Sequence, residues 1–143
     1  MEITFRILGP TALRVGDHFQ QEWTHPKPRA MLAALLLYPR QAVSVDELVS
    51  LIWTPDKVPN DPTGTLYTYT KKIRTGLEQM SDPPRIRVTN GIYRIDVDRD
   101  QIDFHAFRAL AAQADSHRRA GDHAEAADLL ATALDLWTDQ AFA

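Results

Sequence analysis

The residues best suited to chemistry are the polar and basic side chains between Asp61 and Leu77. Core-type residues recur there at the steps of three, four and seven that mark one face of an α-helix: Leu66, Tyr69, Thr70, Ile73 and Leu77. Thr68, Lys71 and Thr75 are expected opposite this stripe, and Tyr67, Lys72 and Arg74 on its flanks. Hydroxyls and cations on one helix face suit hydrogen bonds to base edges and phosphates in a DNA groove. A solvated amphipathic helix is the alternative interpretation.

Arginines form a second candidate set in a predicted hairpin. Asn90-Gly91 is a strong signal for a two-residue turn. The expected core-side pairs are Val88 with Tyr93 and Ile86 with Ile95. On the other face, Arg87 then lies opposite Arg94, which is unfavourable unless an anion lies over them. A phosphate is one candidate for that anion, and solvent with a nearby carboxylate is the other.

The distribution of charge favours a nucleic-acid-binding segment within an acidic chain. The net charge is −3, yet residues 62–94 hold six Lys/Arg against two acidic residues. Residues 95–143 hold four Arg against ten acidic residues. A basic segment beside an acidic one often marks a binding module joined to another part.

Several other classes find no support in the sequence. The chain has no cysteine, which excludes disulfides and thiolate zinc sites and agrees with a cytoplasmic protein. Residues 1–6 lack the features of a signal peptide, and the apolar run of residues 30–38 is too short to span a membrane. Asp103 and His105 have no second ligand at metal spacing, so a helix cap and a surface imidazole explain them. We therefore expect no enzyme, no cofactor and no metal.

The elements around these residues are marked by breaks and caps. Residues 3–7, 13–15 and 19–23 predict a small antiparallel sheet. Residues 30–38 predict the most buried helix. Ser44 and Glu47 form a capping box for the next one, and Asp61 with Pro62 begins the basic helix, which should run to Met80.

A helical hairpin is expected after the arginine-bearing strands. Its first helix should begin at Asp103 and stop at Gly121, and its second should begin at Asp122. The apolar residues of the second helix are Ala127, Leu130, Ala131, Leu134 and Trp137. One such hairpin cannot bury its own apolar face. The chain stops at Ala143 without a terminator, which predicts a truncated protein or an unusually short relative.

The order of these elements predicts an α+β fold in two parts. Residues 1–97 would form a winged helix-turn-helix with an N-terminal antiparallel sheet and a C-terminal β-hairpin wing. Residues 98–143 would form the α-helical hairpin. The basic helix and the basic hairpin are neighbours in this architecture, so their charges would add to one surface.

The sequence also resembles the SARP-type (antibiotic pathway regulatory) transcriptional activators, whose DNA-binding domain is of the OmpR type. The motifs that carry the resemblance are residues 30–37, residues 43–48 with Trp53, residues 65–69 with residues 72–74, and residues 91–93 with Asp103 and Phe107. Residues 120–122 and 133–137 resemble the opening of the TPR-like bacterial transcriptional activator domain, which follows in that family.

The resemblance implies a cytoplasmic, sequence-specific activator of a secondary-metabolite gene cluster. It would bind direct repeats in promoter DNA as a dimer and help recruit RNA polymerase and its sigma factor, with residues 54–60 toward the polymerase. It implies DNA-binding roles for Tyr67, Thr68, Lys71, Lys72, Arg74, Thr75, Arg87 and Arg94. Lys72 replaces a common Arg and loses the bidentate fork for guanine, and the hairpin is short for deep minor-groove contact. A protein-protein interaction module built on a winged helix is the alternative.

Overall fold

The computed structural model describes residues 2–139 and 141, so the predicted terminus at Ala143 lies outside them. The described residues form a mixed α/β protein with two three-stranded antiparallel sheets and five α-helices. None of the helices in this part of the chain is long and apolar enough to cross a membrane.

The first sheet is formed by β1 (Phe5–Arg6), β2 (Ala12–Val15) and β3 (His18–Gln20), in that order. The predicted N-terminal sheet is therefore confirmed, although its first and third strands are shorter than expected. The Arg6 guanidinium lies 3.7 Å from the centre of the Phe19 ring and covers one face of the sheet.

Three helices follow, namely α1 (Pro26–Leu37), α2 (Val45–Ile52) and α3 (Pro62–Leu77). Helix α1 begins before the predicted start because proline fits the first turn of a helix, where its missing N–H costs nothing. It is the most buried helix, as predicted, and all residues from 31 to 36 are buried. The Ser44 hydroxyl accepts from the Glu47 N–H at 3.1 Å, so the predicted cap of α2 is confirmed. Helix α3 ends three residues before the predicted Met80.

The second sheet joins β4 (Val43–Ser44) to the predicted hairpin, β5 (Ile86–Thr89) and β6 (Ile92–Ile95), in the order β4-β6-β5. All four cross-strand pairs have the predicted register, and both turn residues have positive φ, 51° and 73°. The prediction that Val88 faces the core is wrong, because this residue is 38% exposed. Within edge strand β5 only Ile86 is buried, so the rest of the strand lies beyond the core.

The last two helices are α4 (Asp103–Arg119) and α5 (His123–Leu134), which turn at Gly121 with φ 85°. The prediction that Asp103 caps α4 is wrong. Ile102 is the N-cap residue, and the buried Asp103 carboxylate instead accepts from the N–H groups of Ile7 and Leu8 at 2.7 and 3.1 Å. Because two of its donors lie more than 90 residues away in the chain, this carboxylate links the start of α4 to the N-terminal segment.

Helix α5 buries the small residues Ala126 and Ala133. The predicted apolar face of α5 remains uncovered within the described residues, with Leu130 46% and Leu134 63% exposed. This agrees with the expectation that one helical hairpin cannot bury its own apolar face. Trp137 follows the helix and makes an edge contact with Phe107, with ring centres 5.6 Å apart.

Candidate nucleic-acid interface

Helix α3 is held by its predicted apolar stripe. Leu66, Thr70, Ile73 and Leu77 are all buried, which confirms that this stripe faces the core. The Asp61 carboxylate accepts from the Gly64 N–H at 3.1 Å and so caps the helix as predicted. The stripe and the cap together fix which side of α3 is presented to solvent.

A close approach near the end of α3 fixes its distance from the loop before α1. A Cβ atom at Gly76 would lie 2.3 Å from Cε3 of the Trp23 indole. Trp23 is itself buried and donates its indole N–H to the carbonyl of Thr11 at 3.1 Å. Position 76 therefore has no room for a side chain, since the indole is held from its other side.

The solvent-facing side of α3 carries all six of the helix residues that were proposed to contact DNA: Tyr67, Thr68, Lys71, Lys72, Arg74 and Thr75. Tyr67 is 56% exposed, and Nζ of Lys71 lies 4.5 Å from the centre of its ring. This cation–π contact holds the Lys71 ammonium group beside the Tyr67 ring and restricts the motion of the lysine side chain. The two side chains form one amphipathic unit on the surface.

The two threonines on this side already donate hydrogen bonds within α3. Thr68 donates its hydroxyl to the carbonyl of Gly64 at 3.2 Å, and Thr75 donates to the carbonyl of Lys71 at 3.0 Å. A hydroxyl that donates within its own helix still has lone pairs to accept with. In this arrangement both threonines offer acceptors outward, which match amino groups such as those of adenine and cytosine.

Lys72 differs from Arg74 and the two threonines. Within the described residues its side chain makes no hydrogen bond and no ion pair, so its ammonium group is available to an external acceptor. It lines a shallow groove together with Thr24, His25 and Gln79, beside the indole of Trp23. Lys71 also lines this groove, which therefore brings His25 close to both lysines of α3.

Arg74 makes a hydrogen bond to the β5–β6 hairpin. Its Nη2 donates to the carbonyl of Ile86 at 2.6 Å, which ties α3 to the first residue of β5. The expected proximity of the basic helix and the basic hairpin is thus observed. The same bond uses part of the guanidinium, so Arg74 has fewer donors for a ligand than its sequence position suggested.

The hairpin arginines are paired with a carboxylate. Arg87 and Arg94 lie directly opposite one another, as predicted. Nε of Arg87 lies 2.8 Å from one oxygen of Asp96, and Nε of Arg94 lies 3.2 Å from the other. Of the two alternatives for the anion between these arginines, the structure contains the nearby carboxylate. Each arginine still exposes about half or more of its side chain.

Asp96 is the residue of this surface that the sequence reasoning missed. A signal existed, because Asp96 lies two positions after Arg94, and alternate residues of an extended chain point to the same face. The unfavourable pair of opposed arginines also called for an acidic neighbour. Those two rules together identify Asp96 from the sequence.

The Asp103 and His105 pair has no catalytic arrangement. The expectation of a surface imidazole is wrong, because His105 is buried and its Nε2 lies 2.9 Å from the carbonyl of Leu36. A carbonyl can only accept, so Nε2 carries the proton. Burial lowers the pKa of His105, and burial raises the pKa of Asp103 although three backbone N–H groups oppose the shift. No group of three metal-ligating side chains occurs among the described residues.

Comparison with known proteins identifies relatives of the chain. Residues 102–143 match the model of the family described as bacterial transcriptional activator domain. The regulatory protein AfsR of Streptomyces griseus is 31% identical over 141 residues, covering 99% of this chain and 14% of AfsR. The transcriptional regulatory protein MoaR1 of Mycobacterium tuberculosis is 32% identical over 144 residues, covering 94% of this chain and 44% of MoaR1.

The resemblance to SARP-type transcriptional regulators is confirmed. The fold is also that of EmbR from Mycobacterium tuberculosis, solved in complex with a low-affinity phosphopeptide. That likeness has a TM-score of 0.83 at 24% identity, and it covers 99% of this chain and 37% of EmbR. This SARP-like chain spans about one seventh of AfsR and less than half of MoaR1. The two relatives that match nearly all of its length are described as a regulatory protein and a transcriptional regulatory protein.

Proposed function

We propose that this protein is a sequence-specific DNA-binding transcriptional activator whose α1–α3 and β5–β6 form a winged helix-turn-helix. Helix α3 is the recognition helix that enters the major groove, and the β5–β6 hairpin is the wing beside the neighbouring minor groove. The DNA-binding domain spans residues 1–97, and residues 98–143 begin the bacterial transcriptional activator domain.

The observation that carries this proposal is the composition of the exposed side of α3. It presents two lysines, a tyrosine and two threonine acceptors, and its first acidic residue is Glu78, just after the helix. Groups of these types reach base edges from a helix in the major groove. Arg74 supports the geometry, because its bond to Ile86 holds the hairpin against the helix.

The mode of assembly follows from the family resemblance. We propose that two copies bind direct repeats as a dimer on promoter DNA and help to recruit RNA polymerase and its sigma factor. Residues 54–60, which include the short 3-10 helix Pro55–Lys57, form an exposed loop between α2 and α3 and are the proposed contact toward the polymerase. A secondary-metabolite gene cluster is the proposed target.

Lys72→Ala tests the role of α3. Because the operator is unknown, the wild-type protein is first used to select duplexes from a random-sequence library. We expect Lys72→Ala to weaken binding to the selected duplex by about 1–3 kcal/mol and to flatten base preference at one position, since a base-edge contact is lost. Fluorescence anisotropy gives the affinity, and repeated selection with the variant gives the preference.

Lys57→Ala is the matched control for Lys72→Ala. Both substitutions remove one exposed lysine, but Lys57 lies in the 54–60 loop and not on α3. We expect Lys57→Ala to leave the selected sequence unchanged. Equal effects of the two substitutions would mean that net charge, and not a base contact, governs binding, and the role given to α3 would be rejected.

A protein-protein interaction module remains the second candidate, and the uncovered apolar face of α5 favours it. Leu130 and Leu134 are both exposed there, and contiguous exposed apolar residues commonly mark protein contacts. A gel-shift experiment with the random-sequence library at low salt distinguishes the two candidate functions. If no duplex is retarded or selected, the DNA-binding proposal fails and the interaction module stands.

A further inference from the structure

The two arginines of the β5–β6 hairpin share one partner, Asp96. Asp96 contacts both Nε atoms, at 2.8 Å from Arg87 and 3.2 Å from Arg94, and each contact uses a different carboxylate oxygen. The Asp96 side chain is 19% exposed, while those of Arg87 and Arg94 are 63% and 48% exposed. The carboxylate is thus much less exposed than the two guanidinium groups that it contacts.

The position of Asp96 is fixed by the backbone around it. Its N–H donates to the carbonyl of Arg85 at 3.0 Å, which continues the pairing of the two hairpin segments past β6. The preceding residue, Ile95, is fully buried. Asp96 therefore cannot move away from the arginines without opening this end of the hairpin.

The shared carboxylate lowers the net positive charge that the β5–β6 hairpin presents to DNA. Two arginines alone would present two positive charges, and the shared carboxylate leaves a net of one. It also occupies the Nε donor of Arg87 through a hydrogen bond and holds Arg94 as an ion pair, and these guanidinium groups would otherwise bind phosphate oxygens. A phosphate that approached this face would have to compete with a carboxylate that is already in place.

We propose that Asp96 is a specificity-determining residue that withholds Arg87 and Arg94 from DNA phosphates. The inference rests on the proposed DNA-binding function. Phosphate contacts strengthen binding to every sequence, whereas contacts from α3 to base edges distinguish one sequence from another. By restraining the two arginines, Asp96 lowers the sequence-independent part of the affinity, so that contacts from α3 decide where the protein binds.

The test compares the wild-type protein with Asp96→Asn, which keeps the size of the side chain and removes its charge. Binding to a random-sequence duplex and to the selected duplex is measured by fluorescence anisotropy between 50 and 200 mM salt. One or two new phosphate contacts would make the slope of log K against log salt steeper by about one to two, at about 0.9 for each contact. The affinity advantage of the variant over the wild type on random DNA should then grow about 3.5- to 12-fold as salt falls from 200 to 50 mM.

Asp115→Asn is the matched control. Asp115 also holds two arginines, Arg118 at 2.6 Å and Arg119 at 3.0 Å, but it does so on α4, outside the proposed DNA-binding surface. The two substitutions change the net charge equally and release the same number of arginines. We expect Asp115→Asn to leave the salt slope unchanged, and an increase equal to that of Asp96→Asn would overturn the inference.

A second measurement keeps the inference testable if Asp96→Asn unfolds. Arg87→Gln and Arg94→Gln are each made in the wild-type background, where the inference expects almost no change in the salt slope on random DNA. A loss of about 0.9 for each substitution would show that the arginines already bind phosphates in the presence of Asp96, and the inference would fail while the DNA-binding proposal stood. If neither the wild-type protein nor Asp96→Asn binds any duplex at 50 mM salt, the DNA-binding proposal itself fails.

Discussion

At the scale of single residues, a side chain of this protein can be exposed to solvent while its hydrogen-bond donors are already in use. Six side chains of α3 face solvent, but they differ in which hydrogen-bonding groups remain unused. Arg74 is bound to the Ile86 carbonyl, and Thr68 and Thr75 have donated their protons within the helix. Lys72 makes no such bond within the described residues. Tyr67 and Lys71 contact each other through a cation–π interaction, so Lys72 is the one of these six side chains that has no partner within the described residues.

His105 provides a residue-scale prediction of pH dependence. Its pKa is lowered by burial, so the folded state keeps the imidazole neutral at pH values where the unfolded chain takes up a proton near pH 6.5. Above about pH 6.5 both states are neutral and the residue has no effect on the pH dependence. As pH falls below that value, the free energy of unfolding should fall by up to about 1.4 kcal/mol per pH unit, until the folded-state pKa is reached.

The measurement is urea unfolding of the wild type and His105→Gln between pH 5 and 7.5, about one unit or more on either side of the usual histidine pKa. Glutamine can still donate to the Leu36 carbonyl but does not titrate in this range. The variant should lose most of the slope below pH 6.5 that the wild type shows. An unchanged slope would assign the effect to other groups, such as the remaining histidines.

The sequence predicted most of what depends on local patterns. The stripe of α3, its Asp61 cap, the capping of α2 by Ser44 and the hairpin register all follow from periodicity and turn chemistry, and all are present. The errors concern contacts between distant segments. His105 is buried because α4 packs against the end of α1, and Val88 is exposed because β5 extends past the core. Local spacing contains no information about either.

At the scale of elements, the placement of α3 depends on three contacts made by different segments. Trp23 lies against Gly76, the Trp53 ring lies 5.9 Å from the Tyr69 ring, and Arg74 holds Ile86. These contacts come from the loop before α1, from the end of α2 and from β5. The orientation of the proposed recognition helix is therefore a property of the surrounding elements and not of α3 alone.

Gly76→Ala tests the closest of these contacts. Alanine favours a helix over glycine by about 1 kcal/mol, but its Cβ would meet an indole that is held by a hydrogen bond on its other side. Overpacking of this kind costs about 1–3 kcal/mol, so we expect a net loss of stability in urea unfolding. Thr75→Ala is the control, since it adds an alanine at the neighbouring exposed position and should be neutral or stabilising. Equal stability of the two variants would indicate that Trp23 can move.

At the scale of the whole molecule, the two predicted parts are joined by more than their linker. Thr4 donates its N–H to the carbonyl of Gln101 at 2.9 Å, and Phe5 forms a bridge with Ile102. Thr138, after α5, returns to the carbonyl of Leu8 with both its N–H and its hydroxyl, at 2.9 Å each. Both ends of the helical hairpin are therefore fixed to the segment around Leu8. A displacement of the α4–α5 helical hairpin would therefore act on the N-terminal segment through these hydrogen bonds.

Asp103→Ala tests whether the two parts unfold together. Removing the carboxylate leaves the buried N–H groups of Ile7 and Leu8 without an acceptor, and each such group costs about 1–3 kcal/mol. We expect a loss of about 3 kcal/mol in total, with far-UV circular dichroism and tryptophan fluorescence still changing in one transition. Ala109→Ser on the exposed side of α4 is the control for a mild change in the same helix. Two separate transitions would show instead that residues 1–97 and the hairpin fold independently, because coincident signals are the mark of a single cooperative unit.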